Sequence, residues 1–284
     1  MWKRALALAL AAMIGGGGSL SVRAQAPTAD AVVQTSEIVG ETFTVSSAVM
    51  EGPRELNVLL PEGYEPDQAY PVVYLLDGGQ AQDFPRYAAL IRQGAADGVI
   101  QPVIVVGVAS QDRQNELTAR ARDRRIARQW PNHGQSDRFR RFLADEVKPW
   151  VEARYRTTGD DAVLGESAAA LFIVEAFLRE PALFDRYLAV SPSLWWDREA
   201  LSQEAAALLA AHPAGERQLL LTIGDEGGQM QSGMDRLVRA LTEAPPEGLS
   251  WSYEPRHDLT HSTIFAATAL GFMRQAYPVG EPVE

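Results

Sequence analysis

The chain has 284 residues, of which 46% are hydrophobic and 22% charged, and a formal net charge of −11; this is an ordinary globular composition with enough chain to bury a core. It contains no cysteine, which excludes thiol catalysis, thiolate metal sites and disulfide bonds. So acidic a chain is not expected to bind nucleic acid broadly.

The N-terminus has the layout of a secretory signal peptide. Basic residues precede an apolar run over 5–14, and a Gly/Ser stretch leads to a small-x-small site ending at Ala26. The apolar run is too short to span a bilayer, and we predict no membrane span later in the chain. We therefore predict a cleaved signal peptide over 1–26, a flexible segment over 27–36 and one domain over 37–284. The protein would then be periplasmic or secreted by a bacterium, whereas a disordered N-terminal tail is the alternative.

The first elements are strands of two kinds. Segments 41–50 and 54–61 alternate polar and apolar residues, which predicts an antiparallel hairpin at a sheet edge. Continuous β-branched runs over 70–79 and 101–109 are typical of strands buried on both faces. The remaining predictions are helix 84–93, helix 136–154 bent near Pro149, strand 161–166, helix 167–178, strand 184–193, helix 198–211, strand 217–224, helix 230–243, strand 249–255 and helix 262–275.

The second half thus alternates strand and helix repeatedly. That order predicts an α/β fold with a mostly parallel central sheet, helices on both faces and the N-terminal antiparallel hairpin. Ligands of such sheets bind outside the carboxyl ends of the strands. The candidate site residues are therefore those that directly follow a strand.

Ser167 lies between a predicted strand and a predicted helix. A serine on a tight strand-to-helix turn has its hydroxyl clear of the sheet, and the turn requires small neighbours, here Gly165 and Ala169. The helix N-terminus also favours negative charge beside the hydroxyl. Ser167 is therefore a candidate nucleophile, and a plain N-cap serine is the alternative.

An acid and a base follow later strands. Asp225 and Glu226 come after strand 217–224, and a solvated acidic loop is the alternative interpretation. Two of the four histidines, His257 and His261, fall in the loop after the last strand. The order serine, acid, histidine is that of the α/β-hydrolase arrangement, and we prefer His261 as base because it directly precedes the last helix. A metal site at the histidine pair is disfavoured because no third ligand accompanies it.

The oxyanion site requires backbone N–H groups. We expect one from Ala168, directly after the serine, and the other from Gly79, with Gly78 beside it, in the loop LLDGGQ that follows the third strand. Glycine permits close approach of a backbone N–H to a substrate. An ordinary turn is the alternative for this loop.

The chain resembles the putative-esterase family of α/β hydrolases, and within it the bacterial branch that contains the trilactone esterases of siderophores. The resemblance covers most of the chain from about residue 40 onward. The matching pieces, in order, are LPEGYEPDQAYPVVYLLDGG, DRQNELT, FRRFLADEVKPWVEARYRT, LGESAAALF, FDRYLAVSPSLWWD, IGDEGGQM and HST.

The resemblance implies an α/β-hydrolase fold with Ser167 as nucleophile and His261 as base, and no cofactor or metal. Glu226 matches the family pattern better than Asp225 as the acid. The chain departs from the pattern at two positions. Glu166 replaces the usual histidine before the serine, and an alanine replaces the usual glycine two residues after it.

Nine arginines fall between 113 and 141, where they could receive an anionic substrate. For most of them we favour a solvated surface helix, because Arg120, Arg124 and Arg128 recur every four residues. Arg113 is the exception, since it directly follows a strand. Trp195 and Trp196 also follow a strand and would wall the substrate pocket, with a core role as the alternative.

The sequence therefore predicts a serine hydrolase that cleaves carboxylic esters of small molecules through an acyl-enzyme intermediate. An acyltransferase with the same residues and an inactive binding protein of the same fold are the alternatives. The identity of the substrate and the oligomeric state are left open by the sequence.

Overall fold

The computed structural model describes residues 39–280, so the predicted signal peptide, the segment 27–36 and the predicted domain start at 37 lie outside the described residues. The strands are β1 (Glu41–Ser47), β2 (Gly52–Leu59), β3 (Tyr70–Leu76), β4 (Ile104–Val108), β5 (Thr157–Glu166), β6 (Arg186–Val190), β7 (Arg217–Gly224) and β8 (Leu249–Arg256). They form an eight-stranded sheet in the order β1-β2-β4-β3-β5-β6-β7-β8. β1 and β2 form an antiparallel hairpin at one edge, β2 pairs antiparallel with β4, and the later pairs are parallel. The predicted α/β architecture is confirmed.

Helices cover both faces of the sheet. They are α1 (Phe84–Ala96), α2 (Arg113–Glu116), α3 (Arg124–Gln129), α4 (Ser136–Phe142), α5 (Lys148–Glu152), α6 (Ala168–Arg179), α7 (Trp196–Ala210), α8 (Gly228–Glu243) and α9 (His261–Ala276). α1 and α9 pack together on one face, and α4 to α8 lie on the other. In β3, Tyr74 and Leu76 join the core on one side while Val73 and Leu75 join that on the other. This two-sided burial explains why the strand is apolar at every position.

The helix predicted over 136–154 is interrupted. A π-helical turn over Leu143–Val147 separates α4 from α5, and Pro149 lies in the first turn of α5. Proline has no N–H to donate to the carbonyl four residues earlier, and its ring crowds that carbonyl. The helix therefore widens before Pro149 instead of merely bending at it.

The arginines with helical spacing do not share one helix. α3 begins only at Arg124, and the Asp123 side chain caps it by accepting a hydrogen bond from the Arg125 N–H at 2.8 Å. Arg120 therefore lies in the preceding loop. The predicted surface helix is wrong in its extent, because the capping residue interrupts the periodic pattern.

Within residues 39–280, no helix combines the length and the apolar character that crossing a membrane requires.

Candidate active site

Ser167 occupies a sharp turn between β5 and α6. Its backbone has φ 63° and ψ −116°, a strained conformation for a residue with a side chain. The turn is held by hydrogen bonds from Ser167 N to Val190 O at 3.0 Å and from Leu171 N to Ser167 O at 2.9 Å. A Cβ on Gly165 would lie 2.7 Å from the Cβ of Ala169. The small residues noted in the sequence are therefore required by the close approach of strand and helix.

The Ser167 hydroxyl contacts a second serine. Its Oγ lies 3.2 Å from Ser193 Oγ, and the Ser193 N–H donates to Ser167 O at 3.0 Å. Among the hydrogen bonds of residues 39–280, none joins Ser167 Oγ to His261. Serine–histidine contacts in hydrolytic sites commonly tighten only when substrate binds.

Glu226 holds His261. Nδ1 of the imidazole lies 2.9 Å from Glu226 Oε2, and Ser191 Oγ donates to the other carboxylate oxygen at 2.5 Å. The Gly224 N–H donates to the same Ser191 hydroxyl at 3.3 Å, which fixes it. With its proton on Nδ1, His261 keeps Nε2 as the basic nitrogen. Ser191 was not identified from the sequence, where it is one of several serines after β6.

Asp225 and His257 are not part of this arrangement. Asp225 is exposed, and its N–H donates to Leu259 O at 2.8 Å. His257 is also exposed and does not line the cavity described below. No cluster of three or more His, Asp or Glu side chains suited to a metal ion occurs in the described part of the chain.

The pairing shifts the pKa of both partners. Burial raises the pKa of Glu226, but the hydrogen bonds from His261 and Ser191 outweigh burial and leave that pKa below its ordinary value. The hydrogen bond to Glu226 raises the pKa of His261, and burial opposes this only in part. The ionised carboxylate therefore stabilises a positive charge on the imidazole.

Most of the predicted residues line one cavity, which we call the serine cavity. Its volume is about 290 Å³. The lining residues are Arg113, Gln114, Thr118, Ser167, Ala168, Leu171, Ser193, Trp195, Trp196, Glu226, Met230 and His261. Gln114, Thr118, Leu171, Ser193 and Met230 were missed by sequence reasoning, because their residue types carry no signal of this role.

Gly79 does not lie with these residues. Its N–H donates to Gln82 Oε1 at 3.0 Å, and Gln82 N donates back to Gly79 O at 2.9 Å, so the loop closes on itself as a turn. The Gly78 N–H donates to Val108 O. In this structure the Gly79 N–H is thus bonded to the Gln82 side chain, and its role as an oxyanion donor stays a prediction. The Ala168 N–H, by contrast, is the first of α6 and has no intrahelical acceptor.

Arg113, Trp195 and Trp196 line the serine cavity, but each also has other contacts or only partial burial. Arg113 Nε lies 2.7 Å from Asp77 Oδ2, so its charge is already paired with a buried carboxylate. Trp196 is 5% exposed, and its Nε1–H donates to Ala119 O at 2.9 Å. Trp196 is therefore both a cavity wall and part of the core, whereas Trp195 is only half-buried.

Glu166, the residue before the serine, is a partly buried carboxyl group close to the site. Its Oε1 is buried without a hydrogen-bond partner among residues 39–280. The pKa of Glu166 is raised to about 7, chiefly by burial; the charge of His261 lowers it, Asp83 and Glu226 also raise it, and Arg113 lowers it. This carboxyl group therefore changes charge near neutral pH.

We expect Glu166→Gln to stabilise the protein selectively at high pH. Because folding raises the pKa of Glu166, its contribution is favourable below the pKa of the unfolded chain and is lost as pH rises through about 7. The gain in unfolding free energy at pH 8 should be about 1–2 kcal/mol, allowing for solvent screening, and smaller at pH 5. Urea unfolding at both pH values measures this. Equal effects at the two pH values, or the same pattern in the exposed control Glu243→Gln, would contradict it.

Comparisons with known proteins identify the family of the chain. The family model described as "Putative esterase" matches residues 47–247. The chain is 28% identical over 200 residues to the ferri-bacillibactin esterase BesA of Bacillus subtilis, covering 64% of this chain and 69% of that protein. It is 40% identical over 91 residues to the siderophore enterobactin esterase of Emericella nidulans, covering 28% of this chain and 30% of that protein.

Solved structures share the fold. An IroE-like serine hydrolase from Shewanella oneidensis superposes with a TM-score of 0.74 at 26% identity, covering 83% of this chain and 79% of that one. The BES protein from Bacillus cereus also has a TM-score of 0.74, at 21% identity, covering 87% of this chain and 99% of that one. The fold is that of the α/β hydrolases.

Proposed function

The chain belongs to the putative-esterase family and is a carboxylic ester hydrolase, and from that premise we propose that it cleaves small-molecule esters through a covalent intermediate on Ser167. The observation that carries this proposal is the strained turn of Ser167 in one cavity with the His261–Glu226 pair. Strained backbone held by its surroundings is typical of reactive residues.

In the proposed mechanism, Nε2 of His261 accepts the proton from Ser167 Oγ as that oxygen attacks the ester carbonyl carbon. The Ala168 N–H would stabilise the negative charge on the carbonyl oxygen, an effect worth roughly 3 kcal/mol for one donor. Collapse of the intermediate breaks the carbon–oxygen bond, and the imidazolium gives its proton to the leaving alcohol.

The second half of the reaction reverses these roles. Water attacks the acyl-enzyme while His261 accepts its proton, and the same proton returns to Ser167 Oγ as the free acid leaves. Glu226 keeps the imidazole oriented and stabilises its charge in both halves. In this mechanism the Ser167 hydroxyl exchanges its contact with Ser193 Oγ for one with His261 Nε2 when substrate binds.

We propose a siderophore-type ester as one candidate substrate, because the relatives named above are siderophore esterases. We also propose that the protein is exported to the periplasm or secreted, on the basis of the signal-peptide pattern over 1–26.

Product analysis separates hydrolysis from acyl transfer. With p-nitrophenyl butyrate and an excess of an acceptor alcohol such as glycerol, we expect free butyrate as the product at every acceptor concentration. Reactions without enzyme serve as the control. Glyceryl butyrate that increases with acceptor concentration would instead assign the protein as an acyltransferase.

A further inference from the structure

A second, strongly basic cavity lies beside the serine cavity. We call it the arginine groove; its volume is about 570 Å³. It is lined by Arg122, Asp123, Arg124, Arg125, Arg128, Asp197, Arg198, Ala200 and Gln203. One wall of the groove is formed by α3 and the loop before it, which carry most of the arginine-rich sequence. The other wall is the beginning of α7.

The two carboxylates of the groove are occupied by structural contacts. Asp123 Oδ2 accepts from Arg198 Nε at 2.7 Å, and its other oxygen caps α3. Asp197 Oδ1 accepts from the backbone N–H groups of Arg122 at 2.9 Å and Asp123 at 2.7 Å. These bonds join the two walls of the groove and engage three of the four carboxylate oxygens.

Three guanidinium groups are left without a carboxylate. Arg124, Arg125 and Arg128 are exposed, and no acidic side chain of residues 39–280 forms a salt bridge with them. They concentrate positive charge on one surface of a chain whose net charge is −11. Guanidinium groups bind carboxylate and phosphate oxygens through paired hydrogen bonds.

The wall of the groove is built from strained backbone. Asp197, Arg198 and Glu199 have φ values of 48°, 57° and 65°, three consecutive left-handed residues none of which is glycine. This conformation is unfavourable for residues with a Cβ and persists only where surrounding contacts impose it. Here Ser232 Oγ donates to Glu199 Oε1 at 2.6 Å. The backbone at Arg198 is therefore held by the fold, and its exposed side chain is directed by the ion pair with Asp123.

The groove and the serine cavity have no lining residue in common, but a third cavity links them. A small cavity of about 100 Å³ lies between them. It shares Leu171 and Trp196 with the serine cavity, and Arg122, Asp197 and Ala200 with the arginine groove. Arg113 in the serine cavity is already paired with Asp77. Among residues 39–280, the arginines without a salt bridge on this side of the molecule are Arg120 in the small cavity and Arg124, Arg125 and Arg128 in the groove.

We infer that the arginine groove binds a multiply charged oxyanion, carboxylate or phosphate, which the ester substrate carries at a distance from its scissile bond. The assignment of this anion to a substrate rests on the proposed esterase function. The existence of an anion site rests on the groove alone.

The test compares two series of p-nitrophenyl esters with increasing linker length, one ending in a nitrilotriacetate group and the other in its neutral triamide. Wild-type protein should show a KM about tenfold or more lower for the charged ester at the best linker length, an advantage that added salt removes. The variant R124A/R125A/R128A should lose this preference while kcat/KM for the neutral ester is unchanged.

The control variant R92A/R239A/R274A removes the same charge from exposed arginines elsewhere. It should keep the preference; an equal loss in both variants would overturn the inference, because net charge would then explain it. Circular dichroism melting establishes that each variant is folded.

Calorimetric titration with free nitrilotriacetate and inorganic pyrophosphate separates this inference from the proposed function. If no ester is hydrolysed but the anions bind wild-type protein and not the groove variant, the esterase function fails and the anion site stands. If the neutral ester is hydrolysed but wild-type protein neither binds the anions nor prefers the charged ester, the groove inference fails alone. Pyrophosphate binding without any preference for the charged ester would overturn the assignment to the substrate.

Discussion

Ser167→Ala is expected to lower kcat/KM for p-nitrophenyl butyrate by at least about 10⁴-fold, because removal of the nucleophile leaves only oxyanion stabilisation and binding. The fold should survive. The hydroxyl contacts only Ser193 Oγ among the side chains described, and alanine has a backbone preference at φ 63° no worse than that of serine. Steady-state kinetics and a thermal melt of the purified variant measure the two effects.

Ser193→Ala is the matched control for this variant. It removes the hydroxyl 3.2 Å from Ser167 Oγ without removing the proposed nucleophile, so kcat/KM should fall by less than about tenfold. Similar losses in the two variants would assign the effect to their shared hydrogen bond. Unchanged turnover in Ser167→Ala would end the proposal that this serine reacts.

The second large effect is expected for His261→Ala, which should reduce kcat/KM by about 10⁴-fold or more. The other ionisable residues that line the cavity, Arg113 and Glu226, are each engaged in an ion pair and are not placed as the base. Added imidazole should restore part of the rate by filling the space that the side chain leaves. His257→Ala is the control, because this exposed histidine lies in the same loop outside the cavity, and it should retain activity. A comparable loss in His257→Ala, or retained activity in His261→Ala, would contradict the assignment of the base.

The pH dependence of the reaction rate tests whether Glu226 acts on His261. Activity requires neutral His261, and Glu226 raises the pKa of that histidine, so the rate should rise with pH through a value above the ordinary histidine pKa. Glu226→Gln should lower kcat by about 10²–10⁴-fold and move this rise to lower pH. The variant Asp225→Asn should leave both the rate and the profile unchanged, because Asp225 does not contact His261.

The strands, and which of them are buried on both faces, could be predicted because the hydrophobic pattern of a strand follows its burial. The run over 70–76 is apolar at every position and is buried on both faces, and the alternating hairpin lies at the sheet edge. The alternation of strands and helices then places the loops that follow the strands on one side of the sheet. For this reason Ser167 and His261 could be selected from position and residue type. The same reasoning left Asp225 and Glu226 as alternatives, and only the family resemblance favoured Glu226.

Features that depend on contacts between distant segments could not be predicted. The Gly79 N–H is occupied by Gln82, a side chain three residues away whose orientation no pattern specifies. Ser191 supports Glu226 only because β6 and β7 are neighbours in the sheet. The arginine groove arises from contacts of Asp123 and Asp197 across 74 residues, whereas the local spacing indicated only a solvated helix.

The most direct test of the central claim, that Ser167 is a nucleophile activated by His261, is labelling with a fluorophosphonate followed by peptide mass spectrometry. We predict a single phosphonyl adduct on the Ser167 side chain of wild-type protein, formed far more slowly in His261→Ala and absent in Ser167→Ala. An adduct on another serine such as Ser193, no adduct in active wild-type protein, or equal labelling of wild-type and His261→Ala would contradict the claim.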